Sequence, residues 1–336
     1  MSGKVRFGLI GAGAIAQSYL SAFEKVEEAA LVAIADINAE AAKTSAKSMK
    51  CKAYDDPLKL VDQEDCDAVI VSTPPNTHPD IAEACLSKGI HVLCEKPLSI
   101  TSESAGRMIE LSEKNGALLT MGSKFRYVED VIKAKSIVDS GILGEIILFE
   151  NAFTGWVDMT ERWNSDPEIS GGGVLIDNGT HSVDIMRYFL GPLRDIHVVE
   201  GKRLQTSRVE DTVRIFARSN DGVMGSVDLS WSINKELSSY IDIYGSLGTI
   251  KVGWQQSCYR QSSSSEWIVF GDGYNKVQAF SSQLRNLARA IQGKEQLLIT
   301  SVDALASVQV IEAGYESLRR FDWVAIGENG SGVRAA

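Results

Sequence analysis

No apolar run in this sequence approaches the roughly 20 residues needed to cross a bilayer, so a membrane partner is not expected. Positive charge is in short supply. The chain holds 34 Lys and Arg against 44 Asp and Glu, a formal net charge of -10. Nucleic acid needs a basic face, so that partner is excluded too. A phosphorylated cofactor is not excluded, because backbone N–H groups can hold phosphate locally. Cysteine is sparse: Cys51, Cys66, Cys85, Cys94 and Cys258, an odd number with no CxxC pair. That argues against a disulfide framework and for a reducing compartment. Cys85, His91 and Cys94 lie close in sequence and raise the idea of a metal. Cys85 falls on an apolar helical stretch and Cys94 ends an apolar strand-like run, so both read as small buried hydrophobes and no metal is expected. The opening MSGKVRFGLIGAG has no long apolar core followed by a cleavage site, so no secretory leader is expected. The expectation is a soluble, cytoplasmic protein. No repeat of fixed period is visible.

What is present is an ordinary globular balance, 44% hydrophobic and 23% charged over 336 residues, enough for two domains. The first third alternates regularly. Short apolar runs at 5–10, 29–35, 68–71, 91–93 and 118–121 read as strands. Helical spacing occupies 15–26, 39–49, 81–87 and 105–115 between them. This is the pattern of βαβ units, with right-handed crossovers and a doubly wound parallel sheet. The remainder changes character. Runs at 144–153, 195–204, 212–219, 223–231, 240–244 and 249–253 follow one another as strands, which predicts an antiparallel sheet. Helices are expected at 174–189 and 302–319, and a polar loop at 261–266. The domain boundary falls near 122–124, giving a dinucleotide-binding domain over 1–122, an α+β domain over 123–326 and a disordered tail over 327–336.

Gly11-Ala12-Gly13-Ala14-Ile15-Ala16 follows the first strand and opens the first helix, the G-x-G-x-x-G/A pattern in its proper setting. Gly11 permits the turn, Gly13 lets a pyrophosphate approach the backbone, and Ala16 allows helix and sheet to pack. The N–H groups of Ala14 and Ile15 at the helix start favour the phosphate charge. Asp36 ends the second strand, where a carboxylate binds a ribose 2′-OH and repels a 2′-phosphate. Ile37 and Asn38 supply no cation. NAD is therefore expected over NADP. A rigid loop, Ser72-Thr73-Pro74-Pro75-Asn76-Thr77-His78, leaves the sheet edge where ligands bind. Ser72, Thr73, Pro74, Asn76 and His78 are expected near the cofactor, with Glu95 and Lys96 from the next strand.

Lys96 sits in Glu95-Lys96-Pro97 at the C-terminal edge of the sheet. An ammonium there can polarise a carbonyl or hold an alkoxide. It can equally be a solvated surface lysine. Downstream, Gly171-Gly172-Gly173 allows backbone to approach a ligand. Asp177 and His181 follow, four apart and so on one helical face. Asp184 lies a turn further. A carboxylate beside an imidazole fixes its tautomer and supports general-base chemistry. A polar helical stripe with no chemistry is the alternative, and no second His nearby supports a metal.

The ordered set of 11–16, Asp36, 72–78, Glu95-Lys96-Pro97, 124–127, 141–144 and 171–184 resembles the Gfo/Idh/MocA oxidoreductase family. The likeness covers nearly the whole chain. It implies a Rossmann domain joined to an α+β domain with a large open, mainly antiparallel sheet, and a homodimer or homotetramer through that sheet. It implies an NAD(P)-dependent enzyme acting on a secondary alcohol of a sugar, cyclic polyol or nucleotide sugar. In that reading His181 is the acid/base, Asp177 supports it, and Lys96 holds the reacting oxygen.

Substrate contacts are expected from Lys96, Arg126, Trp156, Arg162, Trp163, Asp177 and His181. Aromatic faces with polar neighbours suit a hydroxyl-rich ring. Two rival readings remain at this level: an NAD-dependent glycosidase on the same fold, and a regulator that senses NAD or sugar without turnover.

Overall fold

The computed structural model describes residues 3–327. The tail expected to be disordered lies outside them from residue 328 onward. Strand β1 (Val5–Ile10) leads to α1 (Ala16–Phe23), β2 (Ala29–Ala35), α2 (Ala39–Met49), β3 (Lys52–Tyr54) and α3 (Pro57–Gln63). Then come β4 (Ala68–Val71), α4 (His78–Ser87), β5 (His91–Glu95), α5 (Ser102–Asn115) and β6 (Leu119–Gly122). The six strands are all parallel, in the order β3-β2-β1-β4-β5-β6. The order reverses between β1 and β4, so the ligand crevice opens at the C-terminal ends of those strands. Every residue of β4 is buried, which is why its sequence is a plain apolar run rather than an alternating one. Helix starts follow side-chain chemistry. Asn38 caps α2 by accepting from Glu40 N and Ala41 N, and Asp56 caps α3 ahead of Pro57. β3 and α3 are too short and polar for periodicity to announce them.

Beyond β6 come α6 (Glu129–Asp139), β7 (Ile146–Thr154), α7 (Pro167–Ser170) and α8 (Val174–Leu190). They are followed by β8 (Leu193–Glu200), β9 (Thr212–Ser219), β10 (Met224–Ser230), β11 (Ser239–Gly245), β12 (Gly248–Gly253), β13 (Ser257–Gln261) and β14 (Ile268–Gly271). The described chain ends with α9 (Lys276–Ile291), α10 (Ser301–Arg320) and β15 (Val324–Ala325). The second sheet has nine strands in the order β14-β13-β12-β11-β7-β10-β9-β8-β15. It is antiparallel except where β7 and β10 run parallel. Along β7, Phe149, Asn151 and Phe153 are buried while their neighbours are less so, the alternation of a sheet covered on one face. Helix α8 packs against β7, β9 and β10. The fold is thus a doubly wound parallel sheet plus an α+β unit with a mainly antiparallel sheet, as expected.

The compact units do not divide at residue 122. Among the described residues the first comprises 3–132, 168–171 and 275–308, and the second 133–167, 172–274 and 309–327. The cause is α9, a helix the sequence reading did not include. Its Phe280, Leu284, Leu287 and Ala288 form one apolar stripe packed with Phe7, Tyr19 and Phe23. The rings of Tyr19 and Phe280 meet edge to face at 4.8 Å. On the opposite face of the parallel sheet, Ile299, Ala304 and Val308 join Val69, Leu86 and Met108. Among the described residues no helix is long and apolar enough to cross a membrane.

Candidate active site

At the crevice edge of the first unit, Gly11 adopts φ +95°, and a Cβ there would stand 2.6 Å from Ser72 O. Only glycine fits, because the β4 loop crosses directly over it. Ser72 N donates to Ile10 O at 2.8 Å and holds that crossing. Gly13 is different. A Cβ on it would meet nothing within 4 Å, so its bare backbone faces open space that a side chain would fill. Ala16 is fully buried beneath. This is the cradle that a pyrophosphate requires, and the residues present fit a dinucleotide. Asp36 stands beside the cradle. Its Oδ2 accepts from Ala12 N at 2.6 Å and its Oδ1 from Asn38 N at 2.7 Å. Within the β4 loop, Thr77 Oγ1 lies 2.7 Å from Thr73 Oγ1 and 2.8 Å from Pro74 O, which stiffens the turn that carries Asn76.

Two expected cofactor contacts turn inward. His78 is wholly buried, with Nδ1 2.9 Å from Pro97 O and Nε2 2.9 Å from Thr73 O. Its side chain pins the β4 loop to the segment after Lys96. Glu95 is 6% exposed, and its Oε1 accepts from Tyr19 Oη at 2.6 Å. Burial lifts its carboxyl above the usual glutamate range, although Tyr19, Lys124 and Lys96 pull the other way. Lys96 itself is half-buried at the end of β5, between these two anchors. Arg126, expected to reach substrate, is 3% exposed, and its Nη2 lies 3.5 Å from Asp303 at the start of α10. An arginine so enclosed is held by the fold, because burying its charge requires a partner. Lys124 Nζ sits 4.7 Å from the centre of the Phe125 ring.

The second unit carries the other candidates. Asp177 and His181 lie one turn apart on α8, as their spacing predicts. His181 is 5% exposed, and its ring meets Phe153 edge to face at 6.5 Å. Phe153 in turn stacks on Tyr240 at 5.9 Å. Asp184 is fully buried. Trp156, Arg162 and Trp163 sit on the exposed segment after β7, with the two indoles 62% and 42% accessible. Gly172 and Gly173, before α8, do not face open space. A Cβ on Gly172 would collide with Tyr315 Oη, and one on Gly173 with Glu210 O. Gly172 and Gly173 therefore answer to protein atoms, where the sequence suggested a ligand. Cys85 and Cys94 are fully buried and His91 accepts from Leu118 N at 2.8 Å, so each has a structural task. No cluster of three or more His, Cys, Asp or Glu suited to a metal occurs among the described residues.

Residues 5–123 match the model of an oxidoreductase family with an NAD-binding Rossmann fold, and residues 131–251 match the GFO/IDH/MocA C-terminal domain. The chain belongs to the Gfo/Idh/MocA oxidoreductase family. It is similar to the myo-inositol 2-dehydrogenase of Thermotoga maritima, 28% identical over 73% of this chain and 74% of that one. It is similar to the rhizopine catabolism protein MocA of Rhizobium meliloti, 26% identical over 94% of this chain and 96% of that one. A levoglucosan dehydrogenase solved with NADH and levoglucosan shares the fold, with TM-score 0.90, 21% identity, and coverage of 97% and 100%. As a member of the Gfo/Idh/MocA family the chain is an NAD-binding oxidoreductase. Tyr19, Gln283, Glu210 and Tyr315 are the residues around these motifs that sequence reasoning did not reach. Each acts on a partner far along the chain, and an isolated buried Tyr or Glu carries no local signature.

Proposed function

We propose that this enzyme moves a hydride between NAD and a secondary alcohol or ketone on a sugar, cyclic polyol or nucleotide sugar. The observation that carries the reading is Asp177 and His181 on one face of α8, in a chain that also presents Lys96 at the ligand edge of its parallel sheet. A chain that only held the dinucleotide would need none of the three. Bound NAD supplies the hydride acceptor. His181 takes the hydroxyl proton as the carbonyl forms. Asp177 supports the charged imidazole. Lys96 holds the oxygen while its bond order rises. In reduction the same groups run in reverse, with His181 returning the proton to the oxygen.

NAD is read as preferred over NADP. A carboxylate at Asp36, the end of the second strand, would repel a 2′-phosphate, and the nearest cation along the chain, Lys43, is engaged with Glu40 at 3.1 Å. The exposed Trp156 and Trp163 beside Arg162 suit the C–H face and hydroxyls of a sugar-like ring. Unpaired thiols fit a reducing cytoplasm. Val199, Met224 and Val269 are exposed on strands of the second sheet, which supports a homodimer or homotetramer through that sheet.

The test is a panel of myo-inositol, levoglucosan, glucose-type sugars, their glycosides and a nucleotide sugar, followed by NADH absorbance with parent and His181→Ala protein. Net NADH formation that His181→Ala abolishes supports the reading. Glycoside cleavage without net NADH would make it a glycosidase, and tight binding with neither would make it a sensor. Normal turnover by a His181→Ala protein that still binds NADH would overturn the assignment of His181.

A further inference from the structure

Helix α8 has no capping side chain of its own, since Gly173 occupies its N-cap position. Three N–H groups at its start are nonetheless bonded to one residue in the connection from β8 to β9. Glu210 Oε1 accepts from Gly173 N and from Leu175 N, each at 3.0 Å. Glu210 O accepts from Val174 N at 2.9 Å. Tyr315 Oη, on α10, donates to the same Oε1 at 2.9 Å. Glu210 is buried; a Cβ on Gly173 would collide with its backbone and one on Gly172 with the Tyr315 hydroxyl.

We propose that Glu210, held by Tyr315, is a positioning residue for the reaction: it fixes where α8 begins, and through that the aim of Asp177 and His181. This rests on the reading that the Asp177–His181 pair carries the acid/base step. The mechanical link is short. Asp177 N donates to Gly173 O at 3.0 Å, so any shift of Gly173 is passed directly to Asp177, and by the next turn of helix to His181. A carboxylate suits the post for two reasons. It can accept several hydrogen bonds at one oxygen. It also stands at the positive end of the helix dipole, which favours a negative group there. The glycine run follows from the same arrangement, because a side chain at 172 or 173 would push Tyr315 or Glu210 out of place.

Three variants test this, each assayed with NAD and whichever of myo-inositol or levoglucosan the parent turns over. Glu210→Ala is expected to lower kcat by about 10- to 100-fold, the scale that follows from misplacing a reacting group by about 1 Å. NADH affinity should stay within about twofold, since the dinucleotide cradle lies in the other unit. The amides of 173–175 should exchange with solvent faster than in the parent. Glu210→Gln keeps an acceptor oxygen and should recover kcat to within a few-fold of the parent. Tyr315→Phe should fall between the two. If Glu210→Ala does not fold, Glu210→Gln and Tyr315→Phe still decide. A Tyr315→Phe protein with parental kcat, a folded Glu210→Ala protein with parental kcat, or a Glu210→Gln protein no better than Glu210→Ala would each overturn the proposal. His181→Ala is run beside them. If it is inactive while Glu210→Ala is active, only the positioning role fails. If it is active, the acid/base reading fails first and takes this role with it.

Discussion

Tyr19 Oη and Glu95 Oε1 lie 2.6 Å apart in the interior of the first unit, one on α1 and the other at the end of β5. Gln283 Nε2, from α9, donates to the same Tyr19 oxygen at 2.9 Å. One buried chain of hydrogen bonds therefore joins the helix that opens the dinucleotide cradle, the strand that presents Lys96 and a helix from far along the sequence. Tyr19→Phe removes the shared hydroxyl and leaves both partners buried without it. The expected cost is about 1–3 kcal/mol. In a thermal melt that is a drop of about 2–10 °C. An unchanged melting temperature would show that the chain of bonds is not formed.

The same pair makes stability depend on pH. Burial holds the Glu95 carboxyl above the usual glutamate range. The folded chain therefore keeps that proton at pH values where the unfolded chain has lost it. The contribution of Glu95 is complete below the ordinary glutamate pKa and declines as pH rises through the raised folded value. Glu95→Gln cannot ionise, so its melting temperature should fall less than the parent's across that interval. Parallel curves for the two proteins would refute this.

His78 works in the opposite direction. Burial depresses its imidazole below the usual histidine value, against the pull of the Thr73 and Pro97 carbonyls. The unfolded chain takes up the proton first as pH falls. His78 thus supports folding above the ordinary histidine pKa, and that support is lost as pH drops through the depressed folded value. Melting curves between about pH 5 and pH 8, the range of imidazole titration, should show a steeper acid decline for the parent than for His78→Gln.

Asp36 should govern both affinity and cofactor choice. It accepts from Ala12 N and Asn38 N, so it braces the cradle. A hydrogen bond to a charged group contributes about 1.5–3 kcal/mol, so Asp36→Ala should weaken NADH binding by about 10- to 100-fold. The preference for NADH over NADPH should narrow at the same time. Fluorescence titration with both nucleotides measures the two effects, and equal Kd values for parent and variant would remove Asp36 from the site.

The thiols give an independent check on the interior. Burial pushes the Cys66 and Cys85 thiols up to about 12, and it holds Cys94 well above the usual thiol range. Cys51 is raised to about 11, and both Cys51 and Cys258 are only half-buried. A thiol reagent added to the native protein should label Cys51 and Cys258, slowly and faster at high pH. Cys85 and Cys94 should react only after denaturation. Rapid native labelling of either, or its suppression by zinc, would contradict their place in the core.

Much of this protein was legible in its sequence, and for a local reason. A strand covered on both faces must be an apolar run, a glycine at φ +95° must be glycine, and Asp177 and His181 four apart on a helix must share a face. Those constraints act within a few residues, so periodicity and spacing display them. The tertiary structure decided what distant partners do with the same residues. His78 and Glu95 lie in the expected cofactor region, yet Pro97, Thr73 and Tyr19 draw their side chains inward. The apolar stripe of α9 has a period that can be counted, but which surface it covers depends on Tyr19, more than 250 residues away. Gly172 and Gly173 are visible in the sequence as freedom for the backbone. Only packing against Tyr315 and Glu210 shows that the freedom is already taken, because a steric collision depends on which atoms arrive and not on the chain that receives them.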